Sequence, residues 1–551
     1  AGGAQLQPGS EQAVEAICRR LDGLPLAIEL VAARLAMLPP EALLRTLDEG
    51  LALAVEGPAD LPLRQRTLRA TVDWSYGLLT EPQRRLHGAL AVFAGGCSLD
   101  DARAVAGAGE GFLEDVQALV WAGLSRSSAV DGEVRLSMLQ TVRECALARL
   151  EAGPELGELR ARHARRFLER AVDAEEALRG EGQARALERL ERDHENLRAA
   201  LDWSLSNGAA EDALRAVTAL GRYWRAHSHV TEARQWLRAG LEAAGDVPPA
   251  VRARALWTAA HQAMAQSDHA AAVPALEEAL ALFRGLGDEQ GAVFALCELS
   301  LARLQGGDAA RAERTARDAL GTARAAGDPR SVSAALNTLA VLADARGEHG
   351  QAGALYEESL ALRRELGDPL LVLNSTNNLG LASLRAGELD AAQTALRECL
   401  ELARGLGEDL HAASALCGLG ELALARGEAE AAAGLLSEAL GLYDELGDDR
   451  MRAECLHALG GVAAATDRWR VAAWLWGHAE ALRAELGAPR VHGELLVDEL
   501  FATGAAAELG EDELRRARAE GQAADRAHVQ RTAGRLPAAP PGTKLVRGRT
   551  T

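Results

Sequence analysis

Lysine is nearly absent from this 551-residue chain: of 60 basic side chains, only Lys544 is not arginine. A phosphate-binding loop of the form G-x-x-x-x-G-K-[ST] places a lysine at a helix N-terminus, and Schiff-base catalysis needs one as nucleophile. Lys544, within Pro541-Gly542-Thr543-Lys544, satisfies neither pattern. H-E-x-x-H, G-x-S-x-G and a strand-to-helix G-x-G-x-x-G are missing too. The chain is therefore not expected to be an enzyme, nor to hold a metal or cofactor by itself. Cysteine is sparse: Cys18, Cys97, Cys145, Cys297, Cys399, Cys417 and Cys455 form no C-x-x-C pair and read as small core residues in a reducing compartment. No apolar run reaches a membrane span of about eighteen residues; the greasiest stretch, Leu24 to Leu38, is broken by Glu29 and Arg34. Ala1 to Ser10 carry neither the basic nor the apolar part of a signal peptide, so a cytoplasmic location is expected. The chain opens on Ala1 rather than Met and reads as a piece of something longer.

With 48% hydrophobic, 25% charged and 3% aromatic residues, the chain can build a large aliphatic core, which excludes global disorder and collagen-like classes. Its net charge of −20 repels polyphosphate over most of the surface, so DNA binding by this segment is not expected.

A Gly motif returns every 40 residues, at Gly287, Gly327, Gly367, Gly407, Gly447 and Gly487. A second series lies midway at Gly307, Gly347, Gly387 and Gly427, with Ser267 and Asp467 standing in at the ends. Each unit is thus two helices and two turns: glycine closes a helix in the left-handed region, and the acidic residue behind it opens the next near its positive end. Side-chain size keeps the same beat. Ala272, Ala312, Ala352, Ala392, Ala432 and Ala472 are followed seven residues later by Ala279, Ala319, Ser359, Cys399, Ala439 and Ala479. Leu299, Leu339, Leu379, Leu419 and Leu459 are each followed by a small residue, Ser300, Ala340, Gly380, Gly420 and Gly460. Small residues at fixed helical offsets let helices approach while leucines fill the gaps. Ala392→Leu should therefore overpack a contact, whereas Arg363 is expected on an exposed face.

This spacing resembles a tetratricopeptide (TPR) array, lengthened to 40 residues per unit, with six units over 247–486 and divergent pairs at about 180–246. Such a superhelix offers a groove lined by the first helix of each unit, helix A. The register nominates Trp257, Phe294, Asn337, Asn374, Asn377, Arg385 and His457 for it. Asn374, Asn377 and Arg385, at helical spacings, suit a peptide backbone or carboxylate; a solvated polar face is the alternative. His227-Ser228-His229 lacks further ligands nearby and reads as a loop.

Ahead of the repeats, Gly23 can close one helix and Pro25 open the next. Helices are expected at 64–79, 81–93, 99–106 and 111–122, then strands at 124–130 and 133–138 across an Asp131-Gly132 turn, then a helix over 139–150. That is the order of a winged helix. Asp73, Glu81, Asp100, Asp101, Glu114 and Asp115, on its expected outer faces, disfavour DNA and point to a structural role.

Cys18-Arg19-Arg20-Leu21-Asp22-Gly23-Leu24-Pro25-Leu26-Ala27 resembles the GLPLA motif of NB-ARC ATPases, members of the STAND class of signal-transducing NTPases. The resemblance implies that Leu24, Pro25 and Leu26 form one wall of an adenine pocket. Arg66 through Ser75 and Phe93-Ala94-Gly95-Gly96 are similar to stretches of actinobacterial STAND regulators with a TPR arm. Arg135 through Glu144 is similar to their counterpart of the eukaryotic MHD sensor, with Leu139 in place of the phosphate-contacting histidine and Gln140 in place of the acid. His194 through Trp203 resembles their entry into the repeat arm, and 509–521 the exit. In that family the P-loop lies well over a hundred residues before GLPLA, so ADP or ATP would enter only through an upstream nucleotide-binding domain.

The expected architecture is mostly α. It comprises an NB-ARC helical-subdomain fragment (1–60), a winged helix (61–150), a helical connector (151–246), an α-solenoid of six long TPR-like repeats (247–486), capping helices (487–528) and a flexible basic tail (529–551). The expected function is the sensor half of a STAND-type transcriptional regulator whose groove takes a protein, peptide or small inducer. It has no membrane contact, and oligomerisation on activation suits the class. The alternative is a stand-alone TPR scaffold with a vestigial front end.

Overall fold

A computed structural model describes residues 11–20, 39–41, 44, 68–130, 132–178, 183–227, 229–243, 245, 247–486 and 492–534. The GLPLA segment with Leu24, Pro25 and Leu26, Gly487, and residues 535–551 lie outside them. The chain divides into two compact units, Ala1–Asp173 with Glu188–Ala216, and Ala174–Leu187 with Val217–Thr551.

In the first unit, α1 (Glu11–Arg20) and α2 (Leu68–Gly77) precede α3 (Glu81–Ala91). Thr80 opens α3 with a capping box: Gln83 Oε1 accepts from its backbone N–H at 3.0 Å. A short strand β1 (Cys97–Ser98), not expected from the sequence, leads into α4 (Leu99–Ala106) and α5 (Phe112–Trp121). Strands β2 (Arg126–Val130) and β3 (Glu133–Ser137) follow, with β3 central in an antiparallel sheet of order β1-β3-β2. Two residues of strand leave no alternation to read, which is why β1 escaped notice. Cys97 pairs with Leu136, and this pairing depends on Gly96. At φ +88°, a Cβ on Gly96 would stand 2.6 Å from the Leu136 carbonyl oxygen.

After α6 (Gln140–Glu151) come the long helix α7 (Glu155–Ala177, of which Glu155–Asp173 lies in this unit), α8 (Gln183–Arg192, in it from Glu188) and α9 (His194–Ser206), and buried charges hold this unit together. Asp101, placed on an outer face by the sequence reading, has no exposed surface. It accepts from Ser98 Oγ at 2.7 Å and Arg166 Nε at 2.9 Å, and pairs with Arg170. Arg170 also reaches Asp193 at 2.6 Å, and Arg135 closes the set on Asp193 at 2.8 Å. Burial raises the Asp101 carboxyl, but Arg170, Ser98 and Arg166 together outweigh it and hold it below the usual range. Asn196 satisfies the loop before β1, accepting from Ala94 N–H and donating to Gly96 O, both at 2.8 Å. His163 sits 3.0 Å from its Oδ1, and burial pushes that imidazole down to about 4.

The second unit contains α10 (Ala210–Ala219, which begins in the first), α11 (Gly221–Ala226), α12 (Val230–Ala243) and the solenoid. Its six repeats are the pairs Pro249–Ala265 with His269–Leu286, Glu289–Gln305 with Ala309–Ala326, Pro329–Ala345 with His349–Leu366, Pro369–Arg385 with Leu389–Leu406, Asp409–Arg426 with Ala429–Leu446, and Asp449–Ala465 with Trp469–Leu486. The turn code holds residue by residue. Gly287, Gly327, Gly367, Gly407 and Gly447 sit at φ between +67° and +69°, Gly307, Gly347, Gly387 and Gly427 between +78° and +86°, and Ser267 and Asp467 adopt +58° and +60° at the two ends of that second series. Asp268, Asp288, Asp308, Asp328, Asp368 and Asp448 cap the following helices through their carboxylates.

The alanine row and the small row seven residues beyond it are wholly buried in all six repeats. A Cβ on Gly380, Gly420 or Gly460 would come within 2.7 Å of Leu396, Leu436 or Trp476, so the small residue after each leucine is where helix B crosses helix A. Arg363, expected to be exposed, is 4% exposed. Its guanidinium donates to Leu371 O at 3.0 Å and Asn374 Oδ1 at 3.2 Å.

Three helices close the array: α25 (His492–Leu509), α26 (Glu511–Gln522) and α27 (Arg526–Ala533), numbered after the twelve repeat helices α13 to α24. The tail read from residue 529 is corrected at its start, because Val529 and Ala533 are buried in the last core. Helix α26 crosses the sixth helix B at two glycines. A Cβ on Gly477 would meet Arg518 O at 2.1 Å, and one on Gly521 would meet Trp474 O at 1.9 Å. No helix among the described residues is long and apolar enough to cross a membrane.

Candidate ligand groove

Helix A of each repeat buries one side against its own helix B and turns another toward the helices A beside it. Backbones of consecutive helices A are close between repeats one and two, two and three, four and five, and five and six. Between repeats three and four, side chains bridge instead. Asn378 Nδ2 donates to Asn337 Oδ1 at 3.3 Å, and Arg385 pairs with Asp344, which His349 Nδ1 also approaches at 2.9 Å.

Of the seven residues nominated by register, Trp257, Phe294, Asn337, Asn374 and Arg385 are half-buried. Asn377 and His457 are buried, 8% and 1% exposed. Asn377 Oδ1 lies 3.7 Å from the Cys399 thiol, inside the fourth repeat. His457 Nε2 lies 3.2 Å from an Asp498 carboxylate oxygen on α25. The Asn374, Asn377 and Arg385 triplet thus does not form one open patch, since Asn374 receives Arg363 and Arg385 is engaged by Asp344.

Helix α25 accounts for His457. It lies along helices A of repeats four, five and six, and its Val497, Phe501 and Ala505 share a core with Leu424, Leu459 and Val462. The other end of the face is aromatic and charged. The Trp257 ring lies 5.9 Å from His261, tilted by 32°, and His261 Nδ1 lies 3.5 Å from Glu298. Burial raises the Glu298 carboxyl, but His261 and Arg225 more than offset it and hold it low. Arg222 donates to Leu178 O at 2.8 Å and stands 3.7 Å from Glu408, so α11 meets the start of the fifth repeat.

Glu421 and Glu454 on helices A of repeats five and six also escaped the sequence reading. A signal was present for Glu421: its register runs His261, Leu301, Val341, Leu381, Glu421, Gly461, and Glu421 is the one acid in it. Glu421 is 4% exposed, and its Oε1 has no hydrogen-bond partner. Desolvation and the neighbouring Glu454 push its carboxyl up to about 8, with Arg385 opposing.

In the first unit, Phe93, Ala94, Gly95, Gly96, Met138 and Gln140 help line a cleft of about 360 Å³. Three of the segments that resemble STAND regulators, 93–96, 135–144 and, through Glu195, 194–203, therefore meet there. Leu139 caps α6, and Gln140 Nε2 donates to Glu144 at 3.0 Å.

A tetratricopeptide-repeat family model matches residues 331–405. The chain is 35% identical over 315 residues to a protein of Mycobacterium bovis named as an HTH-type transcriptional regulator; the match covers 53% of this chain and 35% of that protein. A second M. bovis protein is 41% identical over 153 residues, covering 27% of this chain and 39% of its own length. This chain thus spans little more than a third of the curated relatives it matches. Among solved structures, a Rap protein complexed with competence and sporulation factor aligns at TM-score 0.47 and 13% identity, over 63% of this chain and 93% of that one. A STAND protein with a tetratricopeptide repeat sensor from Pyrococcus horikoshii aligns at TM-score 0.38 and 15% identity, over 90% and 74%.

Proposed function

We propose that this chain is the sensor part of a STAND-type transcriptional regulator, and that the helix-A face of repeats one to four holds a peptide or protein segment. The observation that carries this is the similarity to HTH-type regulators together with an in-phase solenoid that leaves Trp257, Phe294, Asn337 and Arg385 half-exposed on one face. A surface meant only for solvent needs no aromatic anchors, whereas an interface uses them at its centre. Ligand binding then acts by differential affinity, favouring one arrangement of the regulator over another. By the family resemblance, the first unit supplies the helical subdomain and winged helix that relay the signal to a nucleotide fold upstream.

Selection of random peptides on the full chain tests the reading. Enriched peptides should bind at least about tenfold more weakly to Phe294→Asp, since a buried aromatic anchor contributes about 2 kcal/mol or more. Peptides indifferent to that change, or no enrichment, would refute it. A second reading is a nucleotide-independent scaffold, favoured by Leu139 standing where the family's phosphate-contacting histidine would be.

A further inference from the structure

The row of leucines that sets the packing of the solenoid is incomplete. Leu299, Leu339, Leu379, Leu419 and Leu459 occupy it in repeats two to six, and the first repeat has Ala259 instead. In the later repeats this leucine reaches back to the helix B before it. Leu339 packs against a cluster that includes Ala312 and Ala316, and Leu379 against one that includes Ala352 and Tyr356. At the first repeat the preceding helix B is α12, where Ala233 and Gly240, buried and seven residues apart, repeat the spacing of Ala272 and Ala279. An alanine facing it leaves the leucine's space unfilled, and neighbouring side chains relax into such a space only in part. A cavity of about 520 Å³ lies there, lined by Ala259. Volumes of this size hold small organic molecules.

Floor and rim differ in character. Arg252, Leu256, Ala259 and Ala263, spaced four, three and four residues apart, form one stripe of helix A, and Ala271 and Ala275 of helix B add a second apolar side. The cavity thus opens between α12 and helix B of the first repeat, and Trp257 does not line it. Helix α12 supplies Arg234, Gln235 and Arg238 to the rim. Arg234 donates to Gln266 Oε1 at 2.7 Å and pairs with Asp268, while Gln266 Nε2 donates to Thr231 Oγ1 at 2.7 Å. Arg252 donates to Glu278 at 2.7 Å. These contacts hold two guanidinium groups in place. Arg238 is exposed and meets no carboxylate at ion-pair distance among the described residues. Glu242 is the one acid in the lining, so three arginines stand against one carboxylate on a chain whose net charge is −20.

We propose that this cavity binds a small amphipathic carboxylate, with its aliphatic chain over Leu256, Ala259, Ala263 and Ala275 and its head group on Arg238. The fit is one of charge and of polarity together. A guanidinium offers a fork of donors to a carboxylate, and an apolar floor takes an alkyl chain out of water. This goes beyond the peptide reading of the helix-A face and does not depend on it.

Calorimetric titration of the full chain with decanoate tests it. Acetate, the head group alone, and decyltrimethylammonium, the same chain with the opposite charge, are the controls. Decanoate is expected to bind at least about tenfold more tightly than either control and to raise the melting temperature. Ala259→Leu gives the first repeat the residue that the other five carry. It is expected to abolish decanoate binding while leaving the ligand-free melt unchanged or higher. Arg238→Gln, at an exposed position, is expected to weaken decanoate at least about tenfold without altering that melt. Absence of decanoate binding to the wild type would overturn the proposal, as would equal affinity for decyltrimethylammonium or affinity unchanged in both variants. If Ala259→Leu melts lower than the wild type, Arg238→Gln decides, and undiminished affinity there overturns the proposal. The peptide reading is scored separately: Phe294→Asp should leave decanoate binding intact, and peptides selected on the helix-A face should bind Ala259→Leu as they bind the wild type.

Discussion

A single register position can carry opposite meanings at neighbouring repeats, and Arg363 shows how. Its row runs Phe283, Ala323, Arg363, Ala403, Tyr443, Arg483, and every member is buried. The row itself marks the position as interior, but an arginine near a helix end invites a solvent reading, and that reading was wrong. The guanidinium sits beneath the turn to the fourth repeat, where burial pushes it down to about 10 and Leu371 O and Asn374 Oδ1 accept its hydrogen bonds. Arg363→Ala should therefore cost about 1–3 kcal/mol, the cost of stranding buried acceptors, rather than the few tenths typical of a surface change. Ala392→Leu should cost a similar amount, about 1–3 kcal/mol, by overpacking a site with no exposed surface. Thermal melts of the two variants check both, and a wild-type-like melt for Arg363→Ala would place that side chain in water.

At the scale of the helix pair, the glycines after Leu379, Leu419 and Leu459 are packing residues, although glycine inside a helix disfavours it. Replacing one by alanine gains about 1 kcal/mol of helix propensity. At Gly460 the gain should be lost, because the new Cβ would stand 2.4 Å from Trp476 Nε1, whose N–H is fixed on His457 O at 3.1 Å. Gly460→Ala is expected to destabilise by about 1–3 kcal/mol. Denaturant melts showing stabilisation would mean the crossing is looser than drawn. Elements of this kind were legible because their cause is local: a left-handed turn every twenty residues and a small residue where two helices touch. The bridges across helices A were not. Asp344 and Arg385 are 41 residues apart, and only the stacking of one repeat on the next brings them together. The same holds for α25, whose position on repeats four to six follows from packing between distant stretches of chain.

Across the whole second unit, repetition supplies stability while departures from it supply chemistry. Arg364 with Glu398 and Arg404 with Glu438, at 2.6 and 2.5 Å, join successive helices B in one recurring ion pair. Such exposed pairs stabilise little, and they mark the helix-B side as the regular one. The helix-A side changes from repeat to repeat: Trp257, Phe294, Asn337, Arg385 and then the carboxylates. Of the seven residues nominated from the sequence for the groove, five are half-buried and two are buried, one of them against the chain's own α25. The measurement that bears most directly on the central claim is hydrogen exchange of the full chain with and without a selected peptide. Slowed exchange confined to helices A of repeats one to four and to the edge formed by α11 is the expected result. Slowing on helices B alone, or uniform slowing over both helices of every repeat, would contradict a ligand held on the helix-A face.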